Sequence, residues 1–204
     1  MKRKVGIFLM ALGCILVAAA LTLFVHNERE QRDGELASRE AITKMIQVIR
    51  EQQTAADGGG ADIPVPVAPW ERTMTVADID GYGYIGFVSF PTLELELPVM
   101  ADWSYPQLKI APCRFSGSIF SDDLVLMAHN YKKHFGRIRR MKPDDPVIFT
   151  DMDGESVEYR VVAVEILGPG AVEDVTSGAY DLTLFTCTYG GENRITVRCD
   201  RIPE

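Results

Sequence analysis

The stretch Leu182-Thr183-Leu184-Phe185-Thr186-Cys187, continuing through Thr188-Tyr189-Gly190-Gly191-Glu192-Asn193 into Arg194-Ile195-Thr196-Val197-Arg198-Cys199, decides how this chain reads. Its flanks are rich in β-branched and apolar residues and its middle supplies turn residues, so it predicts two antiparallel strands joined by a Gly-containing turn. Pairing Cys187 with Arg194 sets Thr186 opposite Ile195, Leu184 opposite Val197 and Leu182 opposite Cys199, which gathers the apolar residues on one face. A slip by one residue would turn Arg194 and Arg198 onto that face and bury unpaired charge. The pattern therefore predicts Cys187 and Arg194 as cross-strand neighbours on the outward face, with Cβ atoms about 5 Å apart. A cation at that distance favours the thiolate.

Upstream, Leu124-Val125-Leu126-Met127-Ala128-His129 reads as a strand that ends on a histidine and hands over to a loop at Asn130. A scaffold strand running into a loop is a favourable place for an acid/base residue. Taken one at a time, these residues also have plainer readings. A strand-end cysteine is more often a small core residue, and a strand-end histidine is more often only hydrogen-bonded. His134, five residues on, competes with His129, while His26 reads as an interfacial residue and Arg198 and Arg201 read as solvated strand charges.

Further β-rich runs, Tyr84–Phe90, Leu93–Val99, Val147–Thr150 and Val157–Leu167, are separated by Gly, Pro, Asp and Asn. One short helix is predicted around His134–Met141, with a possible helical turn at Tyr105–Leu108. The pattern excludes alternating βαβ architecture and predicts an all-β, barrel-like domain over residues 79–204.

The N-terminus is organised differently. Lys2, Arg3 and Lys4 precede an uncharged run, residues 5–25, that at about 1.5 Å per residue reaches across a bilayer core of about 30 Å. Its length exceeds a signal-peptide core, although Ala18-Ala19-Ala20 resembles a cleavage site. The basic residues at 1–4 place the N-terminus in the cytoplasm and the rest outside. Within residues 26–56, Leu36, Ala41/Ile42, Met45/Ile46 and Ile49 recur at helical spacing, predicting an amphipathic stalk helix whose face could pair with another copy or lie on the membrane surface, with docking on the following domain as the plainest reading. Residues 57–78, with Gly58, Gly59, Gly60, Pro64, Pro66 and Pro69, read as a linker.

Composition narrows the function. A formal charge of -8 disfavours nucleic acid as a partner. The four cysteines, at 14, 113, 187 and 199, form no CxxC motif and no zinc-like cluster, so neither a metal nor a redox cofactor is expected. Three of them fall outside the apolar run, so at least one is a free thiol. Cys113 and Cys199 could be buried thiols or a disulfide.

Thr183-Leu184-Phe185-Thr186-Cys187 resembles the TLxTC signature of sortases, with Ala128-His129-Asn130 upstream and Arg194 downstream in that family's order. Ile85-Gly86-Phe87-Val88-Ser89-Phe90-Pro91 and Leu97-Pro98-Val99 are similar to the opening strands of the same family, and the likeness extends from about Tyr84 to Ile202. Ala128 departs from the glycine many sortases carry there. The resemblance is B- or D-like, but Gly168–Tyr180 is shorter than the helix that class B sortases insert, which leaves the subclass open. The resemblance implies an eight-stranded sortase β-barrel with short helices, following the transmembrane and stalk helices. It implies a cysteine transpeptidase with Cys187 as nucleophile, His129 as acid/base and Arg194 as oxyanion partner, and with Thr186 and Asn130 as substrate-binding residues. It also implies an LPxTG-like sorting-signal substrate, a thioacyl enzyme, and an amine acceptor on a peptidoglycan precursor or a pilin lysine. The rival readings are a membrane-tethered binding or scaffolding module, which would share the same stalk and β-domain, and a hydrolytic cysteine protease. A papain-type enzyme has its cysteine before its histidine, opposite to the order here.

Overall fold

The computed structural model describes residues 2–58 and 72–203. Nine strands form one sheet in the order β1-β2-β3-β4-β5-β8-β9-β7-β6, and an additional β2–β6 pairing closes it. They are β1 (Ala77–Ile79), β2 (Tyr82–Phe90), β3 (Leu95–Met100), β4 (Cys113–Ser116), β5 (Leu124–Met127), β6 (Pro146–Asp151), β7 (Ser156–Leu167), β8 (Leu182–Cys187) and β9 (Arg194–Arg201). The ring from β2 round to β6 contains the eight strands implied by the resemblance. Short β1 pairs only with Tyr82–Tyr84 of β2, outside the ring. Closure removes the free sheet edge that an open β-sheet would present.

Gly86 marks the place where β2 leaves β1 and takes up β6. The register of β2 against β3 shifts between Tyr84 and Gly86, and Gly86 lies opposite Asp151. With φ at 146° and the carbonyl oxygen of Thr150 standing where a Cβ would be, this position has no room for a side chain. A glycine bulge of this kind lets a strand turn a barrel corner.

Inside the ring, Val88, Phe90, Val99, Leu124, Leu126, Phe135, Ile138, Phe149, Tyr159, Leu182, Leu184, Val197 and Cys199 form one buried cluster. The strand alternation found in the sequence supplies this inner face. Two strands went unread: β1, which has three residues, and β4, which has four, of which only Phe115 is a strong strand former. The predicted helix at His134–Met141 is a 3₁₀ helix, Phe135–Arg140. The turn at Tyr105–Leu108 is a single α-helical turn, α2.

α1 runs from Lys2 to Gly58. Its Ala41, Met45 and Ile49 are buried in a second cluster with Ile79, Tyr84, Met100, Leu108, Ala111, Cys113 and Met152, so this part of the stripe docks on the barrel. Leu36 and Ile46 are exposed instead, because they lie off the line of contact. Lys44 reaches from the helix to Asp80 at 2.6 Å. In the first half of α1 the described apolar side chains, among them Leu12, Ile15, Leu16, Leu21, Leu23 and Phe24, are exposed. Among the described residues no helix is long and apolar enough to cross a membrane, so the expected span is not shown. Within 5–25 the side chains at 5, 7–9 and 11 lie outside the described residues, as does the linker over 59–71.

Candidate active site

β8 and β9 pair in the register predicted from their pattern: Cys187 lies opposite Arg194, Thr186 opposite Ile195, Leu184 opposite Val197 and Leu182 opposite Cys199. On the other side of β8, the parallel strand β5 runs alongside from Leu124↔Leu182 to Met127↔Phe185. Two adjacent parallel strands end at the same rim of the barrel, and this brings His129, just past β5, to the level of Cys187 at the end of β8. Two further bonds lock that level. Thr186 Oγ1 donates to the Ala128 carbonyl at 2.8 Å, and Asn130 Nδ2 donates to the Thr188 carbonyl at 3.3 Å. Thr186 and Asn130 were read as substrate-binding. In this structure they tie the histidine segment to the cysteine segment, one on each side of the His129–Cys187 level. Thr186 also lines the cavity.

His129, Cys187 and Arg194 all line one cavity of about 240 Å³. Its walls are mainly apolar: Trp103 and Tyr105 at the mouth, Phe115, Met127 and Phe185 along the barrel wall, and Gly168, Pro169, Ala171, Val172 and Val175 on the far side. Trp103 and Tyr105 meet edge to face at 6.3 Å. This is the kind of concave, largely apolar site with a few convergent polar groups that binds a peptide or small ligand.

Each polar group has a distinct setting. Cys187 is half-buried, whereas Cys113 and Cys199 are fully buried, and none of the three is in a disulfide. Burial pushes the Cys113 thiol up to about 12 and the Cys199 thiol higher still. The question left open for these two cysteines is thus answered as buried free thiols. The Arg194 guanidinium is anchored by Nη1, which donates to the carbonyls of Gly191 at 3.1 Å and Asn193 at 3.2 Å in the turn between the strands. The His129 ring stacks on Tyr131 at 4.9 Å and 28°. His134 is buried, its ring 5.5 Å from that of Tyr131 and outside the cavity lining, and desolvation, followed by the nearby His129, lowers its pKa to about 4.

Reading Arg198 and Arg201 as solvated charges does not hold. Arg198 is 3% exposed and pairs with Glu165 at 3.3 Å. Arg201 is half-buried and pairs with Asp122 at 3.0 Å. Arg198 sits on the outer face of β9, which would be solvent-exposed in an isolated hairpin, but the β7–β8 connection folds over it. That connection contains one helical turn, α3 (Val172–Val175), in the stretch read as too short for a long helix. Nothing in the hairpin sequence signals this cover. The stacking of Tyr131 on His129 and the aromatic pair Trp103–Tyr105 were also unread, since contacts within a short irregular segment leave no periodicity. Among the described residues no cluster of His, Cys, Asp or Glu could hold a metal ion.

A thiol, an imidazole and a guanidinium converging on one apolar cavity are the groups that a cysteine-dependent acyl-transfer enzyme requires. The sortase-domain family model matches residues 88–202, and the chain belongs to the sortase family of cysteine transpeptidases. Among solved structures, sortase C1 from Streptococcus suis is 28% identical over 59% of this chain and 74% of its own, with a TM-score of 0.51. Sortase C from Streptococcus pneumoniae is 21% identical over 81% of this chain and 97% of its own, at 0.57. Sortase A from Corynebacterium diphtheriae is 17% identical over 86% of this chain and 94% of its own, at 0.55, a likeness of fold alone. No curated protein matches the chain.

Proposed function

We propose that this sortase cleaves an LPxTG-like sorting signal at Cys187 and passes the acyl group to an amine on a peptidoglycan precursor or a pilin lysine. The observation that carries the assignment of residues is that His129, Cys187 and Arg194 line one cavity, with Cys187 and Arg194 cross-strand partners. In the first step the Cys187 thiolate attacks the scissile carbonyl, and protonated His129 gives its proton to the departing amine. In the second step the acceptor amine attacks the thioester, neutral His129 takes its proton, and the thiolate leaves. Arg194, held by the turn carbonyls at one edge of its fork, offsets the negative charge on the tetrahedral oxygen in both steps. Thr186 and Asn130 contact the substrate backbone at the rim that they brace.

The pilin acceptor draws support from the sortase C of Streptococcus pneumoniae, a structure described in terms of pilin substrate specificity. The same proposal places residues 1–4 in the cytoplasm, residues 5–25 in the membrane, and a stalk over 26–56 and linker over 57–78 before the catalytic domain at 79–204. The exposed apolar side chains from Leu12 to Val25 support it, because none of the described residues covers them.

The test is to incubate the full chain with a sorting-signal peptide and hydroxylamine. Transpeptidation predicts faster peptide turnover and a hydroxamate product. Cleavage unaffected by any amine would identify a protease, and no cleavage of any sorting-signal peptide would favour the binding-module reading.

A further inference from the structure

Arg198 takes no part in the proton transfers proposed above, yet it is gripped from several sides. Its Nε faces Glu165 Oε2 at 3.3 Å, and Nη1 donates to Thr183 Oγ1 at 3.1 Å and reaches the Val175 carbonyl at 3.5 Å. Nη2 donates to the Asp174 carbonyl at 2.8 Å, and the Tyr180 ring lies 5.1 Å from the guanidinium carbon. Asp174 and Val175 are the last residues of α3. The final carbonyls of a helical turn have no donors within it, and a cation against them is favourable.

The same turn carries two cavity residues, Val172 and Val175, and Val175 packs on Val125 and Phe185 of the barrel wall. β9 therefore carries Arg194 into the cavity and, four residues later, places Arg198 behind the cavity's far wall. Cys187 and Arg194 are fixed by a strand ladder and His129 follows two residues after one, whereas a one-turn helix in a connection has no ladder of its own. Arg198 supplies α3 with its bonds to the barrel.

We propose that Arg198 is a positioning residue that holds the α3 wall in shape for the peptide substrate, and so sets peptide affinity while leaving the chemical steps alone. The proposal rests on the sortase reading of this cavity. The planar guanidinium bridges Thr183 and two carbonyls at once, a geometry that an ammonium group cannot reproduce.

The experiment measures steady-state transfer from a sorting-signal peptide to hydroxylamine by the full chain, wild type against Arg198→Ala and Arg198→Lys. Loss of ground-state binding predicts a KM about tenfold or more higher for Arg198→Ala with kcat within about threefold, and an intermediate KM for Arg198→Lys. Alkylation of Cys187 by iodoacetamide, which needs no wall, stays at the wild-type rate. Added guanidinium ion lowers the KM of Arg198→Ala and leaves wild type unchanged. Should Arg198→Ala fail to fold, Glu165→Gln removes the charge partner at the outer end, where Glu165 is 39% exposed, and raises KM about two- to threefold with kcat unchanged. An unchanged KM in whichever variant folds overturns the proposal, as does a fall in kcat accompanied by slowed alkylation. If wild type itself forms no thioacyl enzyme at Cys187, the sortase reading of the cavity fails and the proposal goes with it. If wild type reacts and KM does not move, only the role of Arg198 fails.

Discussion

The rim and the interior of this barrel hold the same functional group in opposite surroundings. Cys187, at the end of β8, is half-buried beside Arg194, whereas Cys199, on the paired strand β9 opposite Leu182, lies in the middle of the core and is fully buried, as is Cys113. Removing water from a thiol disfavours the thiolate, so the interior cysteines are held protonated and behave as small apolar side chains. At the rim, water, a neighbouring guanidinium and an imidazole on the same cavity give the thiol the surroundings of a nucleophile. Position along a strand, with no difference in residue type, separates the two.

The histidines offer the largest test of that contrast, since they repeat it. His129→Ala removes the proposed acid/base at the rim and is expected to lower kcat about 10²–10⁴-fold, whereas His134→Ala, inside, should leave most of the activity in whatever fraction folds. Equal losses in steady-state assays on folded protein would undo the distinction. For Arg194→Lys, the charge is kept but the fork geometry is lost, and kcat is expected to fall about 10²–10³-fold with little change in KM. Wild-type activity in that variant would remove Arg194 from the mechanism.

Smaller effects come from the interior side of the comparison. Cys199→Ala should keep wild-type kcat in the folded enzyme and cost about 1–2 kcal/mol in denaturant unfolding, the effect of shortening a well-packed side chain. A loss of activity without a loss of stability would give Cys199 a catalytic part. The pH dependence of stability is smaller again. His134 has its pKa lowered in the fold to about 4 from an ordinary value near 6.5, so the unfolded chain takes up its proton first. Its contribution is therefore intact above about 6.5 and is lost as pH falls toward about 4. Chemical denaturation of wild type and His134→Gln across that window should show the acid-side slope shrinking in the variant.

Reading the sequence succeeded where structure follows from local alternation and failed where it follows from what folds over a strand. The hairpin register came from the placement of Leu182, Leu184, Ile195, Val197 and Cys199 on one face. That register brings Cys187 and Arg194 together without any knowledge of the rest of the fold. The approach of His129 to the same rim needed the β5–β8 parallel pairing, which a single sequence does not reveal and the family resemblance supplied. Arg198 was misread because an outward-facing charge on a strand is ordinarily solvated, and only the β7–β8 connection, with α3 laid over it, makes this one buried. β4 escaped notice because Cys113-Arg114-Phe115-Ser116 is only four residues long and holds a single strong strand former, too short for its alternation to stand out, although Phe115 lines the cavity and Cys113 anchors the cluster under α1.

The central claim, that the thiol at the rim is the nucleophile while the interior thiols are inert, is tested most directly by mapping the covalent intermediate. Wild type is mixed with a sorting-signal peptide in the absence of amine, quenched in acid, digested, and analysed by mass spectrometry. A thioester on the fragment containing Cys187, absent from Cys187→Ala prepared in parallel, is the predicted result. A thioester on Cys113 or Cys199, or one that persists in Cys187→Ala, would contradict it.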